Sequence, residues 1–231
     1  MRYLSGCTSP RYEQALIDRG DVGLLIQPGS YAASRILPFP YWAADNACYP
    51  PDDDPKRKEP WRAATWCRMI GALHDLGPFV PPCLFILVPD WPFDHDRTLE
   101  RWDRWRTVAE VLDQPLAFAI QDGATVDNVP WDEFHVAFLA GTTEWKCGYG
   151  AYEMAVEARK RGRWIHMGRV QPGRIDWASM IGCDSADGTF MKHGEPGEML
   201  VRLSAALDRN QPRLSQSMAS AAVLGQEGEG E

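Results

Sequence analysis

The chain has 231 residues, 45% of them hydrophobic, with a formal net charge of −8 and six cysteines. That length and apolar content suit one domain with a sizeable core. The acidic balance argues against a surface dedicated to nucleic acid. The cysteines are scattered without a CxxC pair, which excludes a zinc knuckle and a disulfide framework and suits reduced thiols in the cytoplasm. No apolar run reaches the ~18 residues of a membrane span, and Met1 to Gly6 opens no signal sequence.

Strand-like apolar runs recur along the chain, at Arg2 to Gly6, Val22 to Gln27, Tyr41 to Asn46, Leu84 to Asp90, Leu116 to Asp122, His135 to Gly141, Trp164 to Val170 and Cys183 to Thr189. Helical spacing is predicted for Pro10 to Arg19, Trp61 to Leu76, Arg97 to Leu112, Tyr149 to Arg161, Pro172 to Ile181 and Glu198 to Asp208. Ser9-Pro10 reads as a helix start, and Gly20, Gly77 and Gly162 as helix ends. In the third of these helices Leu99, Trp102, Trp105, Val108, Ala109 and Leu112 form one apolar face, so its tryptophans belong to the core. Pro28 to Pro40 and Gly123 to Pro130 read as loops, and the proline-rich stretch from Asn46 to Pro60, with Asp52 to Asp54, as a loop over the site. From about Asn210 the composition predicts a disordered tail, leaving 1–209 as the domain.

Alternating strands and helices imply parallel strands joined by crossovers, and continuous runs such as Leu84 to Val88 suit strands buried on both faces. The leading fold is therefore a somewhat irregular (β/α)8 TIM-like barrel, with an open doubly wound sheet as the alternative. Barrel chemistry sits at the C-terminal ends of the strands. Those ends carry Gln27, Asp45, Asp90, Gln121 with Asp122, Gly141, Arg169, and Asp184 with Asp187. They are rich in carboxylates and poor in metal ligands. His74, His95, His135, His166 and His193 show no ligand spacing and read as surface or packing residues, so neither a metal nor another cofactor is expected. Carboxylates at a barrel mouth suit chemistry at a sugar anomeric carbon, one attacking C1′ and another moving a proton. Six basic residues lie between Arg159 and Arg174 with no acidic one among them. Arg159 to Arg163 read as a solvated helix end, while Arg169, with Arg174 beside it, is placed to meet phosphate.

Four stretches, Trp42-Ala43-Ala44-Asp45-Asn46, Ala119-Ile120-Gln121-Asp122-Gly123, Phe138 to Glu144 and Gly182-Cys183-Asp184-Ser185-Ala186-Asp187, resemble in order the landmarks of the tRNA-guanine transglycosylase superfamily. The shorter phage and bacterial branch that places 7-deazaguanines in DNA is the closer likeness. The resemblance implies a base exchange that replaces guanine in DNA with a preQ0-like 7-deazaguanine. Asp187 would be the nucleophile, with Asp184 as the other candidate, and Asp45 the general acid/base. Asp90 would hold the amino and ring N–H edge of the base, with Gln121 and Gly141 completing its pocket. No cysteine follows Cys183, so the family's zinc subdomain is absent. Ala140 stands for one glycine of the family's pair, and Asn46-Ala47 for Ser-Gly. An acidic chain of this size would need a partner protein, a second copy or a local basic channel to grip DNA. A transglycosylase or N-glycosidase acting on tRNA or nucleosides, and a barrel that binds a base without reacting, are the alternatives.

Overall fold

In the computed structural model the described residues are 1–6, 10–29, 31–49, 61–76, 80–192 and 194–210. The cap at Ser9, the Asp52 to Asp54 run with the rest of its loop from Pro50 onward, Gly77, His193 and the tail from Gln211 lie outside them.

Eight parallel strands close into a barrel in sequence order: β1 (Arg2–Ser5), β2 (Val22–Ile26), β3 (Trp42–Ala44), β4 (Cys83–Leu87), β5 (Leu116–Ile120), β6 (Val136–Leu139), β7 (Trp164–Met167) and β8 (Ser185–Gly188), with β8 pairing back on β1. Around it run α1 (Pro10–Arg19), α2 (Ala33–Ile36), α3 (Ala63–His74), α4 (His95–Glu110), α5 (Thr143–Lys146), α6 (Tyr149–Lys160), α7 (Ile175–Met180) and α8 (Pro196–Arg209). This is the (β/α)8 fold. Its irregularities fall at the second and fifth crossovers. The single turn α2 lies between β2 and β3, and only turns connect β5 to β6. The one-turn α5, which packs ahead of α6, carries too few residues to show a helical period.

Alternation along each strand divides the buried residues into two cores. One set faces the helices, where Trp66, Trp102, Phe118 and Phe134 pack around β5 and α4. The other fills the barrel with Leu4, Leu25, Ala43, Phe85, Leu87, Ala117, Ala119, Val136 and Phe138. Truncating a fully buried aromatic such as Trp102 would cost about 3–5 kcal/mol. Between β3 and β4 the register slips, Trp42 pairing with Cys83 but Ala44 with Ile86, so β4 carries one extra residue.

The Arg159 to Arg163 segment sits at the N-terminal end of the barrel, where helices return to the strands. Its charges are paired: Arg159 with Asp184, Lys160 and Arg161 with Glu157, and Arg163 with Asp132. Among the described residues no helix is long and apolar enough to cross a membrane.

Candidate active site

The inward residues at the C-terminal ends of the strands are polar, in contrast to the apolar filling beneath them. Asp187 on β8 is buried, and both its oxygens are occupied. His166 Nε2 lies 2.9 Å from Oδ2, and the Arg169 backbone N–H donates to Oδ1 at 3.2 Å. Asp45, directly after β3, accepts from Gln27 Nε2 at 2.8 Å and from the Ala47 backbone N–H at 3.3 Å. Burial pushes the Asp45 carboxyl up to about 6, and the negative charges of Asp187 and Asp90 add to the effect. That value suits a group that must give and take a proton near neutrality.

Asp90 and Gln121 form a second, adjoining unit. Asp90 accepts from Asn46 Nδ2 at 2.8 Å and from Gln121 Nε2, while Gln121 Oε1 accepts from the Phe93 backbone N–H at 3.0 Å. Burial raises the Asp90 carboxyl, opposed by Asn46 and by the nearby Arg101 guanidinium. Arg101 also donates to the Asp90 backbone carbonyl and stacks between Trp61 and Trp91. A carboxylate beside an amide offers both acceptors and donors to a heterocycle edge.

Gly141 ends β6 in a position that allows no side chain. A Cβ there would lie 2.6 Å from the Trp145 ring and 2.7 Å from Asp122 Oδ2. Asp122 in turn accepts from the Thr142 backbone N–H and hydroxyl, both at 2.7 Å, which ties the β6 end to the β5 end. Arg169 reaches across from β7 and donates to the carbonyls of Ala140 and Gly141 at 3.0 and 2.9 Å. Its guanidinium lies 3.9 Å from the centroid of the Tyr49 ring. The residue adopts φ 58°, a left-handed conformation unusual for a side chain of this size.

Asp45, Asp90, Gln121, Gly141, Arg169 and Asp187 thus gather at one mouth. Asp184 does not join them. It precedes β8 at the opposite end, where Oδ2 accepts from the Ile165 backbone N–H at 2.8 Å and Oδ1 meets Arg159 at 2.9 Å. A carboxylate that closes the barrel floor cannot be the alternative nucleophile, and that expectation is corrected. Arg169 commits its Nη2 to two carbonyls and lays its guanidinium against the Tyr49 ring.

The sequence reading missed His166, Ser185 and Lys146. His166 is fully buried inside the barrel, with ring centroids 4.7 Å from both Phe85 and Phe138. Lys146 on α5 is buried with Nζ 2.5 Å from Gly168 O, and burial, aided by Arg169, pushes its amine down to about 7. The available signal for His166 was parity: it lies two residues before Gly168, at an inward position of the strand beside Asp187. Among the described residues no group of three or more His, Cys, Asp or Glu side chains is placed to hold a metal ion.

No protein-family model and no curated protein matches the chain. Solved structures do. One described as native KDPGal superposes with a TM-score of 0.50 at 11% identity, covering 90% of this chain and 94% of the other. Phosphoribosyl anthranilate isomerase from Thermus thermophilus gives 0.43 at 16% identity, over 91% and 100% of the two chains. Tryptophan synthase from M. tuberculosis gives 0.46 at 10%, over 91% and 93%. The first of these, at 11% identity, agrees with the barrel fold and establishes no activity.

Proposed function

We infer that this barrel is a base-exchange enzyme acting at the anomeric carbon of a nucleotide. The observation that carries the reading is the pairing of Asp187 with Asp45 at one mouth, one carboxylate held by two donors and the other poised near neutrality. In the proposed reaction an Asp187 oxygen bonds to C1′ as the C1′–N9 bond breaks, and Asp45 delivers its proton to the departing guanine. Asp45 then takes the N9 proton of the incoming base, whose nitrogen bonds to C1′ and releases Asp187. Two displacements at C1′ retain its configuration. Asp90 with Gln121 would receive the amino and ring N–H edge of the base.

The choice of DNA as the polymer and of a preQ0-like 7-deazaguanine as the incoming base rests on the resemblance to the DNA-modifying transglycosylases. A nucleotide in a duplex would be flipped out to reach the mouth. The test is guanine exchange into duplex DNA and into tRNA, followed by nucleoside mass spectrometry with preQ0 supplied. Label or deazaguanine in DNA, lost in Asp187→Asn, supports the reading. A modified ribonucleoside moves the substrate to RNA, and neither product with the native chain overturns base exchange.

A further inference from the structure

Each oxygen of Asp187 is met by a donor that is itself held from behind. On the Oδ2 side, Trp164 Nε1 lies 2.8 Å from Ser185 Oγ, Ser185 Oγ lies 2.8 Å from His166 Nδ1, and His166 Nε2 lies 2.9 Å from the carboxylate. An indole N–H can only donate, so Ser185 accepts there and its hydroxyl proton is left for Nδ1. The imidazole then carries its proton on Nε2, aimed at Asp187. Phe85 and Phe138 clamp the ring.

On the Oδ1 side the donor is the backbone N–H of Arg169. The carbonyl of that same peptide unit, Gly168 O, accepts from Lys146 Nζ. An amine on the carbonyl polarises the whole peptide and strengthens its N–H as a donor. It also fixes the plane of the peptide where Arg169 takes its left-handed φ.

Neither side chain is explained by packing. Apart from Ser185 and Asp187, His166 meets the rings of Phe85 and Phe138, and burying an imidazole between them carries a cost that an apolar residue would avoid. We propose that His166 and Lys146 are positioning residues for Asp187, acting through the Trp164–Ser185–His166 chain and through the Gly168–Arg169 peptide to fix the carboxylate with its remaining lone pairs free for an electrophile. The inference rests on the reading of Asp187 as the nucleophile.

The test uses the full chain labelled with ¹³C-aspartate, the Asp187 carboxyl signal being assigned by its loss in Asp187→Asn. His166→Phe keeps the shape and removes the donor, while His166→Gln keeps an N–H at similar reach. Ser185→Ala and Lys146→Met break each relay one step back. In His166→Phe the Asp187 titration midpoint rises by about one pH unit, as loss of a donor to a carboxylate requires. With guanine-containing DNA, its kcat and the rate of covalent adduct formation fall about 100-fold while KM stays within about threefold. His166→Gln recovers both to within about tenfold, and Ser185→Ala and Lys146→Met show the same shifts at smaller size. A midpoint unmoved in His166→Phe, Ser185→Ala and Lys146→Met overturns the positioning role, whatever the activity. A midpoint that moves while the native chain forms no adduct sustains the positioning role and fails base exchange instead.

Discussion

Asp184 and Asp187 lie at opposite ends of β8, the first bonded to the Ile165 backbone and Arg159 on the barrel floor, the second to His166 at the mouth. Their substitutions must therefore separate stability from activity. Asp184→Ala leaves the Ile165 N–H without its acceptor and Arg159 with only the Gly182 carbonyl, and should cost about 1–2 kcal/mol in urea unfolding, with any base exchange within twofold of the native chain. Under the proposed reaction, Asp187→Asn should abolish exchange and leave the urea midpoint unchanged or raised.

Asp45 gives a signed dependence on pH. Its carboxyl is raised from 3.8 to about 6 in the fold, so between those values the folded state binds more protons than the unfolded one. Its contribution is favourable below about pH 4 and is lost as pH rises through 6. Asp45→Asn, which carries no charge, should stabilise the protein by about 1–2 kcal/mol at pH 7, after allowance for partial exposure, and by nothing at pH 4. Thermal unfolding at the two pH values reads the difference.

Gly168 faces into the barrel beside Asp187. A Cβ there would lie 2.5 Å from Phe138 Cε1 and 3.4 Å from Asp187 Oδ2. Gly168→Ala should cost about 1–3 kcal/mol through overpacking and depress kcat by disturbing the carboxylate. Gly173→Ala, with nothing within 4 Å of its Cβ, is the control and should change stability by less than about 0.5 kcal/mol.

Gln121→Leu removes the donor to Asp90 and the acceptor for the Phe93 N–H. In the base-exchange assay it should raise KM for the incoming base about 10- to 100-fold and lower kcat less, because the interaction serves binding more than the bond-breaking step. Steady-state rates over a range of base concentrations decide this.

The barrel was legible because its strands are apolar on both faces and its helices carry stripes, as in Leu84 to Val88 and Leu99 to Leu112. The polar strand ends followed by position, which brought out Asp45, Asp90, Gln121 and Asp187. Asp184 was misplaced because nearness in sequence was read as nearness in space. Three residues of strand span about 10 Å, and an odd step also reverses the face. His166 escaped because its partner is 21 residues away and no local spacing marks it. Lys146 escaped because α5 is a single turn, too short to reveal which side of it is buried.

The extra residue in β4 has the effect of a phase shift. Up to Cys83 the strand keeps step with β3, and beyond it the parity is inverted, which is what turns Phe85 and Leu87 inward. A closed ring has no free edge at which such an offset could unwind. Only a deletion would remove it: without Leu84, the residues Cys83, Phe85 and Ile86 would stand opposite Trp42, Ala43 and Ala44 in unbroken step. Phe85 would keep its inward place beside Ala43 and the imidazole of His166, and the barrel interior would lose only Leu84, which packs at its edge.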